Sequence, residues 1–554
     1  MDNQTSRDGI NVFEFPVETD TRFLLLILAA FFFAINTGQN LGRSVSVLTE
    51  NNYNAGNDVD GDPTYEKKDP SMFENFDEYY KNSRTIFIDS LRALIFPLIF
   101  VVLLFFCAYV LYRKYPSQII KKKHLHELNP ESDRHFTMYI KEITGDLHIK
   151  NIDLMTTRSV SSFNAQAFGF SSRFFLRLDG GLRITYRKSK EVFRAIVLHE
   201  FGHILNKDIF KTYFSQSLWY SVILIFVLPV FLSITLIFAS GVIDKLTSGG
   251  PLVGNIFSIF FSNIPNTLKL IVQYFILFVF LAYIRSSILK TREYYADQRA
   301  VTLGAKEGLL KILHSHSGSD NVSLWKKIRM LHPTSRQRVS AINNPESIFD
   351  IKYELAFVAG FLTSLIINGM MMPLIQLSLL LSSITGLGSI FQSLFADKIL
   401  LVIGFLLPAL IISSTGFLIA YLISASISVE LLKNSYVNLY LKRIQNYKYL
   451  KFLIIAFLFA FGNEIGFLIQ PISTIIPRSF YSVLLIILLQ GFFMFILFLS
   501  FCLTDSVGLK MLAIRQNNVS IKSKFRTITL LNTLVIFLFV ILIFGLRIYI
   551  IFGF

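Results

Sequence analysis

Apolar runs of about 20 residues, separated by polar stretches, recur along most of the chain. Each is long enough to cross a hydrocarbon core roughly 30 Å thick as a helix. The pattern predicts about nine transmembrane helices, at residues 23–40, 88–112, 214–240, 267–288, 353–383, 399–425, 450–475, 479–503 and 527–552. Loop charge sets their direction, because cytoplasmic loops retain lysine and arginine. The stretch "RKYPSQIIKKKH" (Arg113 to His124), residues 285–352, "KRIQNYKYLK" and "KMLAIRQNNVSIKSKFR" are basic and alternate with the acidic loop 41–87 and with short, weakly charged loops. The N-terminus is therefore expected in the cytoplasm and the C-terminus outside. Residues before the first apolar run are net acidic and no small-residue cleavage site follows, so that run is expected to stay as an anchor.

Two polar stretches on the cytoplasmic side are large enough to fold, 113–213 and 289–352, and a transmembrane hairpin separates them. They are expected to meet beneath the membrane as one small α+β domain. The fold class is an α-helical polytopic membrane protein carrying that domain: residues 1–112 form two helices with an acidic external loop, 113–352 the domain interrupted at about 214–288, and 353–554 a bundle of about five helices.

Composition narrows the chemistry. A chain 53% hydrophobic, with 56 phenylalanines and a mean hydropathy of +0.53, is far too apolar for a soluble protein of this length. Its only two cysteines, Cys107 and Cys502, lie inside apolar runs, so a bound metal has to be held by histidine and carboxylate. The net charge of +16 is assigned to cytoplasmic loops, since no aromatic-basic motif supports nucleic-acid binding.

The segment "KEVFRAIVLHEFGHILNKDIF", Lys190 to Phe210, contains no proline and reads as one helix. His199 and His203, four residues apart, share a face of it and can bind one zinc, while Glu200 faces a metal-bound water as general base. Zinc lowers the pKa of that water toward neutrality, the chemistry of amide hydrolysis. An HExxH motif arises by chance about once in 200 such chains, so further ligands are needed.

"KTREYYADQRAVTLG", Lys290 to Gly304, supplies them where the chain returns to the cytoplasmic side. Glu293 can be the third ligand, and Asp297, one turn on, can orient a neighbouring ligand. The spacing also suits an acidic pair on a solvated helix, but the hairpin forces this segment back beside the His199 helix. In "LHPTSRQRV", Leu331 to Val339, His332 can donate a hydrogen bond to the oxyanion of a tetrahedral intermediate and Arg338 can pin a carboxylate.

Together, "HEFGH" at 199–203, Asp208, "REYYAD" at 292–297 and "HPTSRQR" at 332–338, with a hairpin between the first two motifs, resemble the HtpX-like membrane zinc metallopeptidases, the group that includes the CAAX prenyl endopeptidases. The resemblance covers roughly residues 86–345. It implies His199, His203 and Glu293 as ligands of one zinc per chain, Glu200 as base and Asp297 as a partner of the ligand set. "NAQAFGF", Asn164 to Phe170, is similar to the family strand that lies along the cleft, which makes Asn164, Ala165, Gln166 and Ala167 substrate-binding residues. "RFFLRLDGGLRITYR" after it has β character about a Gly-Gly turn, so a small sheet is expected beside the active-site helix.

The expected activity is that of an integral membrane zinc metalloendopeptidase, hydrolysing membrane-associated or misfolded polypeptides at the cytoplasmic face of a bacterial inner membrane, the last on family grounds. The rival readings are a signal transducer whose peptidase domain its transmembrane sensor triggers, and a transporter with a vestigial zinc site. Glu464, inside an apolar run, is expected to pair with Asn463 or another polar group, or to be protonated. The pairs His124/His126 and His314/His316 are expected to be solvated, because residues two apart do not face each other on a helix.

Overall fold

A computed structural model describes residues 12–14, 17–57, 72–129, 131, 133–170, 172–247, 252–315, 332–349, 352–365, 430, 433–434 and 448–468, with scattered positions from 484 to 495. The expected spans at 399–425 and 527–552, and most of those at 353–383 and 479–503, lie outside the described residues, as do Cys502 and His316.

Four long helices cross one another: α1 (Glu18–Asn57), α2 (Met72–Lys122), α6 (Asp208–Thr247) and α7 (Leu252–Thr302). Their shared core includes Leu25, Phe33, Leu104, Leu218, Leu281 and Ile284. By length and composition, Glu18–Gly42, Leu94–Lys122 and Tyr274–Thr302 are the three stretches of described helix suited to crossing a membrane. The first loop needs correction. Residues 41–57 continue α1 and α2 starts at Met72, so most of the expected acidic loop is helical. An apolar window marks where a helix can meet lipid, and the helix itself continues for as long as its backbone bonds are kept.

The expected sheet is present. Strands β1 (His126–Glu127), β2 (Ile152–Thr156), β3 (Ala165–Phe170) and β4 (Arg173–Leu178) lie in the order β1-β2-β4-β3, with β2 and β4 parallel and β3 antiparallel to β4 at the edge. The β reading of the residues after the Gly-Gly turn is overturned: the strand ends at Leu178 and Leu182–Lys188 form helix α4. Buried Asp179 ends it, taking two hydrogen bonds from Arg177 at 2.7 and 2.8 Å. Gly181 then passes so close to the loop before β3 that a Cβ would lie 2.6 Å from the carbonyl oxygens of Val160 and Ser162.

Helix α5 (Lys190–Leu205) opens on Ser189, whose hydroxyl accepts from the Val192 amide at 3.3 Å. Phe193, Val197, Leu198 and Phe201 bury it against the sheet, α3 (Arg134–Asp146) and α8 (Lys306–Ser315). The single helix expected over Lys190 to Phe210 is in fact two. Lys207 takes a left-handed conformation, φ 57°, and Asp208 starts α6. The turn separates α6 from the histidine helix.

Gly202 lets α5 meet α7. A Cβ there would stand 2.9 Å from the Ala296 carbonyl oxygen and 3.1 Å from Ala296 Cα. Gly202→Ala is therefore expected to push the helices apart and to destabilise the protein by about 1–3 kcal/mol, as overpacking does. Thermal melting checks this, and an unshifted midpoint would show that the helices do not approach so closely.

Candidate metal centre

The closeness at Gly202 places one turn of α5 beside one turn of α7. His199 and His203 project from α5 with their rings edge to face, centroids 5.0 Å apart. Glu293 of α7 lies between their outer nitrogens: His199 Nε2 is 3.5 Å from Glu293 Oε2 and His203 Nε2 is 3.6 Å from Glu293 Oε1. All three side chains are buried, and one ligand atom from each lies within 4.8 Å of the others. Tetrahedral zinc with nitrogen and oxygen ligands at its usual bond lengths sets neighbouring donors about 3.3 Å apart. Two imidazoles and a carboxylate at these separations fit that ion.

The groups behind the ligands fix their orientation. Asp297 Oδ1 accepts from His199 Nδ1 at 2.8 Å, which leaves Nε2 as the lone-pair donor on the ligand side. Asp297 is held by a two-pronged contact in which Arg338 Nε and Nη2 donate at 2.7 and 2.6 Å. Arg338 is itself aimed by a capping box at the start of the Ser335–Asn343 helix, where Thr334 and Gln337 each bond the other's backbone amide. Behind His203 stands buried Asp208, 4.0 Å from Nδ1, beyond hydrogen-bonding range. Burial pushes its carboxyl up to about 7, against the pull of Lys211 and Arg292.

Residues 133–346 match the family model of Peptidase family M48. The matched stretch contains His199, Glu200, His203, Glu293, Asp297 and Arg338, and the match supports a metallopeptidase of the M48 kind, a family generally dependent on zinc. No curated protein and no solved structure matches the chain.

Glu200 points toward the sheet, where its Oε2 accepts from the Ala167 amide at 2.7 Å. Burial raises its pKa above the ordinary value, against the opposing effects of His199 and the Ala167 amide. Of the four residues expected to bind substrate, Asn164 lies just before β3 and is exposed, and its carbonyl accepts from the Asp179 amide at 3.0 Å, a bond facing the end of β4. In an antiparallel pair this orientation alternates, so Ala165 and Ala167 turn their backbone groups to the open edge. At Ala167 that edge is taken: Glu200 holds the amide and Tyr213 Oη donates to the carbonyl at 3.1 Å. Gln166 donates from Nε2 to the same tyrosine at 3.1 Å. His332 is 63% exposed, with Nδ1 3.5 Å from Glu293 Oε1, at the mouth of the site.

Two residues of this centre escaped the sequence reading. Arg292 Nη2 lies 2.9 Å from Glu293 Oε1, and its Nη1 donates to Thr212 at 2.6 Å. Tyr213 stands at the start of an apolar run and looks there like any interfacial aromatic. The basic residue directly before Glu293 was the one available signal for Arg292, but adjacent helical positions usually diverge.

The metal-free centre carries a proton. Burial by itself lowers the His199 pKa, but hydrogen bonds to Asp297 and Glu293 outweigh it and push the group up to about 9. A folded-state pKa above the ordinary 6.5 adds stability that is complete below that pH and is lost as pH rises through about 9. His203 moves the other way, lowered well below its ordinary value chiefly by burial, and stays neutral at neutral pH. Metal-free protein is therefore expected to melt at progressively lower temperature from pH 6.5 to pH 9, and Asp297→Asn to flatten the trend. A wild-type profile flat over that interval would contradict the protonated imidazole.

Proposed function

We propose that the chain is an integral membrane zinc metalloendopeptidase of the HtpX-like kind, cutting membrane-associated or misfolded polypeptides at the cytoplasmic face. The observation that carries this reading is the convergence of His199, His203 and Glu293 with Glu200 alongside. Bound zinc would polarise the scissile carbonyl and acidify a water. Glu200, its pKa raised by burial and its carboxylate steadied by the Ala167 amide, takes the proton from the attacking water and passes it to the leaving amine. His332, exposed at the mouth, donates to the oxyanion. Ala165 offers its edge-facing backbone groups to an extended peptide, which adds a strand beside β3 and lies across Glu200.

Membrane substrates suit the placement of the ligands. Glu293 and Asp297 lie on α7, whose Tyr274–Thr302 stretch is one of those apolar and long enough to span a bilayer. The chemistry then takes place close to the lipid surface, within reach of a tethered chain.

Glu200→Gln tests the reading. It is expected to lower the rate of proteolysis about 10²- to 10⁴-fold while zinc content stays at one per chain. Chelation is expected to abolish cleavage and zinc to restore it. Undiminished cleavage by the glutamine variant would remove Glu200 as the base.

A further inference from the structure

Arg22 lies near the start of α1, far in sequence from every ligand, and is fully buried. Its Nη1 donates to Ser287 Oγ of α7 at 2.9 Å and to Thr291 Oγ1. Its Nη2 donates to Glu18 Oε2 at 2.9 Å and to Glu430 Oε1 at 3.2 Å, and Nε reaches the same Glu430 oxygen at 3.3 Å. Lys352 and Lys433 lie near the two carboxylates. One guanidinium thus joins the N-terminal helix, the ligand helix and Glu430 of the C-terminal extension.

The face of α7 that it grips matters. Ser287, Thr291 and Tyr295 recur every four residues along one face. Phe13, ahead of α1, continues the contact, 6.2 Å from the Tyr295 ring and 3.5 Å from the Arg299 guanidinium. Glu293 and Asp297 are two residues off that register, roughly 200° around the helix. The front of α7 meets α5 at Gly202 and its back meets Arg22, so a rotation or slip that displaces Glu293 breaks the Arg22 bonds as well.

We infer that Arg22 is a positioning residue for Glu293, through which Glu430 of the C-terminal extension sets the register of the ligand helix. This rests on His199, His203 and Glu293 being a metal site. The extension then has a task in the domain: its carboxylate completes the clamp behind the third ligand. Neither Arg22 nor its partners belong to the ligand set, so the clamp acts through the position of α7 alone.

The test compares full-length wild type with Glu430→Gln, Thr291→Val and, as a control, Leu104→Ala, which opens a cavity in the core of the long helices at a residue that makes no bond to Arg22. Glu430→Gln and Thr291→Val are expected to raise the free zinc needed for half-saturation about tenfold or more, the scale seen when a group orienting a ligand is lost. In metal-free protein they are expected to speed amide exchange across residues 287–297. Leu104→Ala is expected to lower the melting temperature without moving either readout. Should Glu430→Gln fail to fold, Thr291→Val, which removes a single hydroxyl, carries the same test. If wild type binds zinc and the cluster variants change only the melting temperature, as the control does, the clamp is merely structural and the inference falls. If wild type binds no zinc, the metal reading itself falls.

Discussion

Two helices distant in sequence can share one small ion only if their backbones come nearer than side chains normally permit. Gly202 removes the obstacle on α5, and the Ala296 backbone takes the space. At that separation an imidazole pair on one helix and a carboxylate on the other span donor distances of 3.5–3.6 Å, close to what a tetrahedral ion requires. A side chain at position 202 would widen the gap, and Glu293 would then recede from both histidines. The small residue in the third place of "EFG" therefore does as much for the site as the charged residues around it.

Bringing these groups together buries several charges, which is tolerable only when each is paired. Asp297 answers Arg338 and His199, and Glu293 answers Arg292. The same pairs determine which nitrogen of His199 faces the ligand side, so one set of contacts both permits burial and prepares the donors. Glu200 is treated differently. Its partner is a neutral amide of the edge strand, which steadies the carboxylate while leaving it basic. Tyr213 fastens the carbonyl of that same residue, so strand, base and the second turn of α6 form one unit.

The long helices also build the site. α7 carries an apolar stretch and ligand-bearing turns on one continuous rod, and α6 departs from the histidine helix after a two-residue break. Both rods adjoin the candidate metal centre, and the apolar stretch of α7 suggests that it associates with a membrane.

Much of this was legible in the residues themselves. HExxH spacing follows from helical periodicity, and a carboxylate pair four residues apart declares a shared face whatever it packs against. The hydrophobic pattern located the long helices, because burial imposes that pattern directly, whereas β3 was found through the likeness of "NAQAFGF" to a strand of the resembled family. Their ends were not legible. The turn at Lys207, the helix after Gly181 and the helical continuation through residues 43–57 depend on what the backbone meets in space. Arg292, Tyr213 and Arg22 have ordinary sequence surroundings, and only the approach of α1, α5, α6 and α7 gives them partners. Local sequence thus determined which groups could ligate, since that depends on side-chain chemistry and spacing along one helix. That Arg292, Tyr213 and Arg22 join Asp297 and Arg338 around them was decided by the tertiary structure, because those contacts act across short distances between segments far apart in the chain.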